Sequence, residues 1–299
     1  MEQKRKVKSP FGDKIFDIAT FIILTLSVIV VVFPLYFIII ASISDPVAVQ
    51  SGQVLFWPKG ISFEGYDLIL KDKNIWTGYR NSLWCVLVGT IINLAFTIPA
   101  GYALSRKGLP GKGLIMIFLT FTMFFNGGMI PTYLLVKDLG LLDTLWALVL
   151  TDAISVMNII IVRTFFQTNI PDELYEAAQM DGCNELQTFF KVALPLAKPV
   201  IAIMMLYYGL GQWTQFFKGI IYLQSEDLYP LQLVLRNILI QNTSSATNMT
   251  STETFLAQQR LAELMKYGVI IIGSLPPILA YPFVQKYFEK GMMVGSIKG

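Results

Sequence analysis

The sequence predicts an all-α polytopic membrane protein with six transmembrane helices. Three observations point there. Of 299 residues, 54% are hydrophobic and only 14% charged, where soluble domains carry about 25% charged residues. The apolar residues gather in six runs, each long enough to cross a hydrocarbon core of ~30 Å at 1.5 Å per residue. Between the fourth and fifth runs lies a segment rich in charge, Pro171 to Pro199, which reads as two short surface helices.

Taken in order, the chain begins with Lys4, Arg5, Lys6 and Lys8, then an apolar run from Ile18 to Ile40. That run is too long for the core of a signal peptide, and no small-x-small cleavage site follows it. It reads as an uncleaved first span, with Pro34 expected to kink it. Further spans are expected near Leu83–Leu104, Leu114–Val136, Leu145–Phe166, Val200–Leu223 and Val269–Phe288. The loop Ser105–Gly113 holds Arg106, Lys107 and Lys112 without an acid, whereas the loop near Lys137 also holds Asp138 and Asp143. An excess of basic residues marks the cytoplasmic side, so both termini and the charged segment are expected there, in a multi-pass protein of the bacterial cell membrane.

The expected layout is a basic cytoplasmic segment over 1–15, a first transmembrane helix over 16–42 and an extracytoplasmic loop over 43–79. A five-helix core over 80–290 follows, including a cytoplasmic loop at 168–198, and a cytoplasmic tail at 291–299 ends the chain. Trp57, Trp76 and Tyr79 suit an interfacial aromatic belt. The polar run Gln241–Thr254 cannot bury enough surface to be a packed element.

Within the charged segment, Pro171 suits a helix start, and Asp172 and Glu173 complement the dipole of its first turn. Leu174, Ala177 and Ala178 fall on one face, and Gly182 is placed to end the helix in a left-handed turn. Asn184 with Gln187 reads as an N-cap with its back-bonding amide. Leu186, Phe189, Phe190, Ala193 and Leu194 form the apolar face of the second helix before Pro195 and Pro199 break it.

Several chemistries are excluded. The chain has no histidine, which removes His-based triads and most zinc sites. Gly108-Leu109-Pro110-Gly111-Lys112-Gly113 lacks the spacing and strand of a nucleotide-binding loop. No nucleophile is paired with a base, so the chain is read as no enzyme. A net charge of +3, scattered along the chain, does not suggest nucleic acid. Cys85 and Cys183 fall in a span and in the charged loop, so no disulfide is expected.

Polar residues inside spans are the remaining candidates. Asp152 either lines a wet path or pairs with a neighbouring donor. Asn126, with Gly127, Gly128 and Pro131, marks a break in the third span. Gln212, Trp213 and Gln215 in the fifth span combine amides with an aromatic ring, as a sugar's hydroxyls and C–H face would require; the alternative is interhelical packing and bonding.

Glu176-Ala177-Ala178, then Asp181-Gly182, then Leu194-Pro195 resembles the EAA signature of ABC-importer permeases. Ala100–Arg106 and the tail Gln285–Gly299 resemble the sugar-importing, maltose-type branch. Phe125–Tyr133 and the Leu139–Leu142 turn resemble permeases for oligosaccharides, including uronate-containing ones. The resemblance implies a type I importer permease fold in which Glu176, Ala177, Ala178, Asp181, Gly182, Asn184, Leu194 and Pro195 dock a separate ATPase, with Glu176 anchoring the loop through a hydrogen bond or salt bridge. It implies a second permease subunit, two ATPase subunits that carry the ATP and magnesium, an extracytoplasmic sugar-binding protein, and no cofactor on this chain. A stand-alone secondary transporter or channel, which would show inverted repeats and ion-coupling charges, and a membrane scaffold are the rival readings.

Overall fold

The computed structural model describes residues 11–247, 265–282 and 285. Lys4 to Lys8, residues 248–264 and the tail 286–299 lie outside the described residues, as do the expected domain limits at 290 and 291. The described residues are helical, with no strand among them, and they divide into two compact units.

The first unit holds α1 (Phe11–Ser42), α2 (Pro46–Gln50) and most of α3 (Glu64–Lys71). Pro34 sits within a continuous α1. A window of α1 has mean hydropathy 2.9 and none of its residues buried against the described residues, and the helix is long and apolar enough to cross a membrane. The stretch expected as a loop after it is partly built: Asp45 N donates to Lys59 O at 2.9 Å, Ser62 N to Ile43 O at 3.0 Å, and Tyr66 Oη to Ser42 Oγ at 2.8 Å.

The second unit is organised around α4 (Lys73–Ser105), N-capped by Asp72, which accepts from Asn74 N at 2.8 Å. Every fourth residue of α4 from Asn81 onward is small or polar and buried: Asn81, Cys85, Gly89, Asn93, Thr97, Gly101 and Ser105. Four residues advance about 400°, so each step lies ~40° beyond a full turn and the row winds around the helix. Successive stretches of the row therefore meet different elements of the unit.

Those neighbours follow in chain order: α5 (Lys112–Phe124), α6 (Met129–Asp138), α7 (Leu145–Leu150), α8 (Val156–Asn169), α9 (Asp172–Met180), α10 (Glu185–Thr188), a π-turn (Phe189–Ala193), α11 (Leu194–Leu196), α12 (Lys198–Trp213), α13 (Phe216–Tyr222), a 3₁₀ turn (Glu226–Leu228), α14 (Leu231–Thr247) and a helix over 265–282 that continues from the first unit. Asn81 Nδ2 donates to Asp227 O at 2.8 Å and Tyr229 O at 3.1 Å, and Ser82 Oγ accepts from Leu231 N at 2.8 Å. Thr97 and Tyr208 share a hydrogen bond of 2.6 Å. At Gly101, an added Cβ would lie 2.5 Å from Val162 Cγ1 and 3.1 Å from Arg163 N, so only glycine lets α8 approach this closely.

Three expected spans differ in detail. The third is α5 and α6, bent by 109° at the break; Gly128 has φ +90°, and Asn126 Oδ1 accepts from Gly128 N at 2.9 Å. The fourth is interrupted between α7 and α8. Asn93 Nδ2 reaches from α4 to the freed carbonyls of Asp152, at 2.7 Å, and Ala153, at 3.1 Å, which satisfies backbone that a continuous helix would have paired. The fifth breaks between α12 and α13 at Thr214 and Gln215. The segment expected as a long polar loop contains α14, whose Leu231, Leu233, Val234 and Leu235 are buried; the apolar residues preceding the polar run suffice to fold it, and the helix extends into that run as far as Thr247.

Gly101→Ala should lower the thermal stability of the purified protein by about 1–3 kcal/mol through overpacking. Gly113→Ala is the matched control, because a Cβ there meets nothing within 4 Å. Fluorescence-detected unfolding in detergent checks the pair.

Candidate functional site

Two regions, joined by α4, carry the polar residues singled out from the sequence. The first is the charged loop. Pro171 is the N-cap of α9, and Asp172 and Glu173 occupy its first turn. Gly182 has φ +78° and turns the chain into α10, where a complete capping box forms: Asn184 Oδ1 accepts from Gln187 N at 2.8 Å, and Gln187 Oε1 accepts from Asn184 N at 3.1 Å. Pro195 does not break the second helix. It has no N–H to close the next bond, and the preceding residues widen into the π-turn, in which Leu194 N donates to Phe189 O; such bulges absorb an interrupted ladder. The break comes at Ala197, where the chain bends by 77° into α12.

The buried face of the loop differs from the sequence expectation. Tyr175, Phe189 and Ala193 pack into a core with Tyr102, Phe166 and Met204, and Ala178 is buried. Leu174, Leu186 and Phe190 point outward, and Met180 is 89% exposed. Ala177 and Pro195 are exposed, Asp181 is the C-cap of α9, and Leu194 packs against the core. Glu176 is also exposed, and among the described residues it makes no hydrogen bond or ion pair. Other acids hold the loop instead. Asp172 pairs with Lys107 at 2.6 Å, and this hydrogen bond holds the Asp172 carboxyl below the usual carboxylate range and raises Lys107. Glu185 accepts from Tyr102 Oη at 3.5 Å and from Gln179 Nε2 at 3.4 Å. Burial pushes the Tyr175 phenol up to about 12.

The carboxyl end of α4 is closed by side chains from around it. Arg163 Nε donates to Leu104 O at 3.1 Å, Gln167 Nε2 to Ser105 O at 3.4 Å, and Lys112 Nζ to Ser105 O and Arg106 O at 3.3 and 3.2 Å. Cations here complement the negative end of the helix dipole.

The second region is a cavity of about 400 Å³ between the α7–α8 break, α8, α12 and α13, bordered by Asp152, Ser155, Asn158, Tyr207, Tyr208, Gln212 and Lys218. Asp152 forms an ion pair with Lys218, so the acid singled out from the sequence has its donor on α13 and also borders the cavity. Gln212 Nε2 donates to Asn93 Oδ1 at 3.4 Å, and Gln212 Oε1 is buried without a protein partner.

The other path candidates are not gathered there. Trp213 is 4% exposed and donates from Nε1 to Gly273 O at 3.0 Å; it borders an apolar groove with Leu83, Leu87, Met205 and Pro276. Gln215 is buried with both amide atoms unpartnered. Asn126 is exposed in the α5–α6 break. Sequence reasoning passed over Asn158, Tyr207, Tyr208 and Lys218. A lysine within an apolar run was the available signal for Lys218, and no local signal singled out the others. Cys85 and Cys183 are free, as expected.

Residues 6–294 match the family model described as "Binding-protein-dependent transport system inner membrane component". The chain belongs to this family. The permease is 37% identical over 286 residues to Protein LplC of Bacillus subtilis (strain 168), covering 96% of each chain. It is also 37% identical over 287 residues to the polygalacturonan/rhamnogalacturonan transport system permease protein YtcP of the same organism, covering 96% of this chain and 99% of that one. The crystal structure of a bacterial ABC transporter involved in the import of the acidic polysaccharide alginate contains a similar chain, with 34% identity and a TM-score of 0.84, over 95% of this chain and all of that one. The permease is thus an all-α membrane component of an ABC importer, and its role is transport rather than catalysis.

The capping box makes the loop geometry testable. Asn184→Ala should destabilise α10 by about 1 kcal/mol, with Asn184→Ser close to native. Limited proteolysis at the Gly182–Asn184 turn should be faster in the alanine variant alone.

Proposed function

We propose that the permease is one of two homologous membrane subunits of an ATP-driven importer that moves an oligosaccharide, of the uronate-containing class, into the cytoplasm. Six spans, both termini in the cytoplasm, two ATPase subunits that bind ATP and magnesium, and an extracytoplasmic sugar-binding protein complete the reading. The permease itself binds no cofactor.

The observation that carries it is the two-faced loop from Pro171 to Pro195. One face is tied into the core through Tyr175, Phe189 and Ala193. The other exposes Met180, Leu186 and Phe190, at 89%, 70% and 60%, around the EAA residues. Exposed large apolar side chains on a charged loop outside the membrane call for a protein partner, and the ATPase is the partner that an importer lacking its own nucleotide site requires. Glu176, exposed and without an ion pair among the described residues, is available to that partner. Docking there biases a bundle with two packings, one open to each side.

The substrate class rests on the cavity and the relatives. Phenols, amides and a hydroxyl suit sugar hydroxyls, and Lys218 supplies the cation a uronate carboxylate would meet in exchange for Asp152. The relatives' names include polygalacturonan, rhamnogalacturonan and alginate. Gln212, Asn158, Tyr208 and Lys218 are therefore preferred over Trp213 and Asn126 as path residues.

Phe190→Asp and Glu176→Lys should leave the permease pair intact in detergent while the ATPase is depleted from the purified complex. Full ATPase occupancy with full transport in both variants would overturn the docking assignment. Lys218→Met and Asn158→Ala should keep the ATPase and lower uptake of labelled oligogalacturonate about threefold to tenfold per lost hydrogen bond. Unchanged uptake in both would return the cavity to a packing role.

A further inference from the structure

The loop and the cavity wall are both in contact with one helix, and at the loop end of that helix Arg106 and Tyr102 meet the loop helices. Arg106 is the C-cap of α4, with its side chain 19% exposed. Its guanidinium carbon lies 3.9 Å from the centroid of the Tyr175 ring on α9 and 5.9 Å from that of Tyr102 on α4. Its Nε lies 4.0 Å from Glu185 Oε2 on α10. Arg106 thus touches both helices of the loop from the end of α4. Tyr175 is 3% exposed, and its hydroxyl has no partner, so its ring face is what it offers. The neighbouring Lys107–Asp172 pair also links α4's end to α9, but its side chains are 84% and 49% exposed, where solvent and salt weaken an ion pair.

Further back along α4, Asn93 and Thr97 hold residues of the cavity wall. Asn93 bonds the Asp152 and Ala153 carbonyls and Gln212, and Thr97 bonds Tyr208. From Asn93 to Arg106 the helix advances about 20 Å. The helix runs on through Pro99, and the row from Asn93 through Thr97 and Gly101 to Ser105 is buried throughout, so packed side chains on both sides of the proline carry a displacement imposed at Arg106 to Thr97 and Asn93, which bond residues of the cavity wall.

We propose that Arg106 is the positioning residue through which movement of the loop helices α9 and α10 is transmitted along α4 to the polar cavity. The inference rests on the reading of the loop as the ATPase-docking element. It requires a cation that is flat enough to lie on the Tyr175 ring while its edge faces Glu185, which arginine satisfies and lysine satisfies only in part.

The test needs no transported sugar. In the full complex, reconstituted in nanodiscs with Cys183→Ser, a reporter Ser155→Cys in the cavity is labelled with a membrane-impermeant maleimide. Labelling rates are compared without nucleotide and after trapping with ATP and vanadate. The parent should show two different rates. Arg106→Gln should keep its ATPases and lose the difference, and Arg106→Lys should recover part of it. Tyr175→Leu, which leaves the charge in place, should lose it too, and the double variant should be no worse than either single one.

An Arg106→Gln complex that responds to ATP as the parent does would overturn the inference, as would loss of the ATPases from that variant, which would make Arg106 part of the docking surface. Additive effects of Arg106→Gln and Tyr175→Leu would also overturn it. A parent complex that binds no ATPase, or shows no ATP response, would instead sink the docking reading itself. If Arg106→Gln does not assemble, the Tyr175→Leu response decides in the same way.

Discussion

The structure depends on one row of side chains, the small and polar residues that recur every fourth position along α4. In a hydrocarbon environment there is little hydrophobic drive for helices to associate with one another. Close approach and interhelical hydrogen bonds must supply the attraction. Gly89 and Gly101 supply the approach: at Gly89 an added Cβ would lie 2.7 Å from the Gln212 amide carbon. Asn81, Ser82, Asn93 and Thr97 supply the bonds, and most of these go to backbone that has been freed by a break in a neighbouring segment. The irregular stretches between α7 and α8 and before α14 are therefore tolerated because α4 pairs their carbonyls and amides.

Because the row winds, α4 serves several neighbours in succession rather than one. Near Cys85 it enters a core with Val136, Leu148 and Tyr222. Towards Ile98 and Tyr102 it enters the core that holds the loop helices. The polar cavity lies between these two cores, bordered by the α7–α8 break and by α12. A wet site inside an apolar bundle needs groups that can pair with water or ligand, and the unpartnered Gln212 Oε1 and the Lys218–Asp152 pair provide them.

Much of the loop was legible from sequence because its determinants are local. A helix start at Pro171, a left-handed Gly182 and a capping box at Asn184 depend on residues within one turn of each other, and all three are present. The buried face was not legible in the same way. Leu174 and Ala177 were as good candidates as Tyr175 by spacing alone; the ring cluster of Phe166, Tyr175 and Phe189 around Tyr102 selects the other face. The contacts that Lys107 and Arg106 make with this loop were not legible either, since both residues are distant from it in sequence.

By itself the sequence determined that the chain is helical and membrane-embedded, which runs are apolar, where the charged loop begins and turns, and which family signature it bears. Each follows from composition, or from contacts within a few residues. Only the tertiary structure decided which apolar runs are interrupted, which polar residues share a cavity, and which acids hold the loop. An interruption is tolerated only where a distant side chain satisfies the exposed backbone, and a cavity is defined by helices far apart in the chain. Asn93 meeting Asp152, and Gln212 meeting Asn93, are facts of packing that no window of sequence contains.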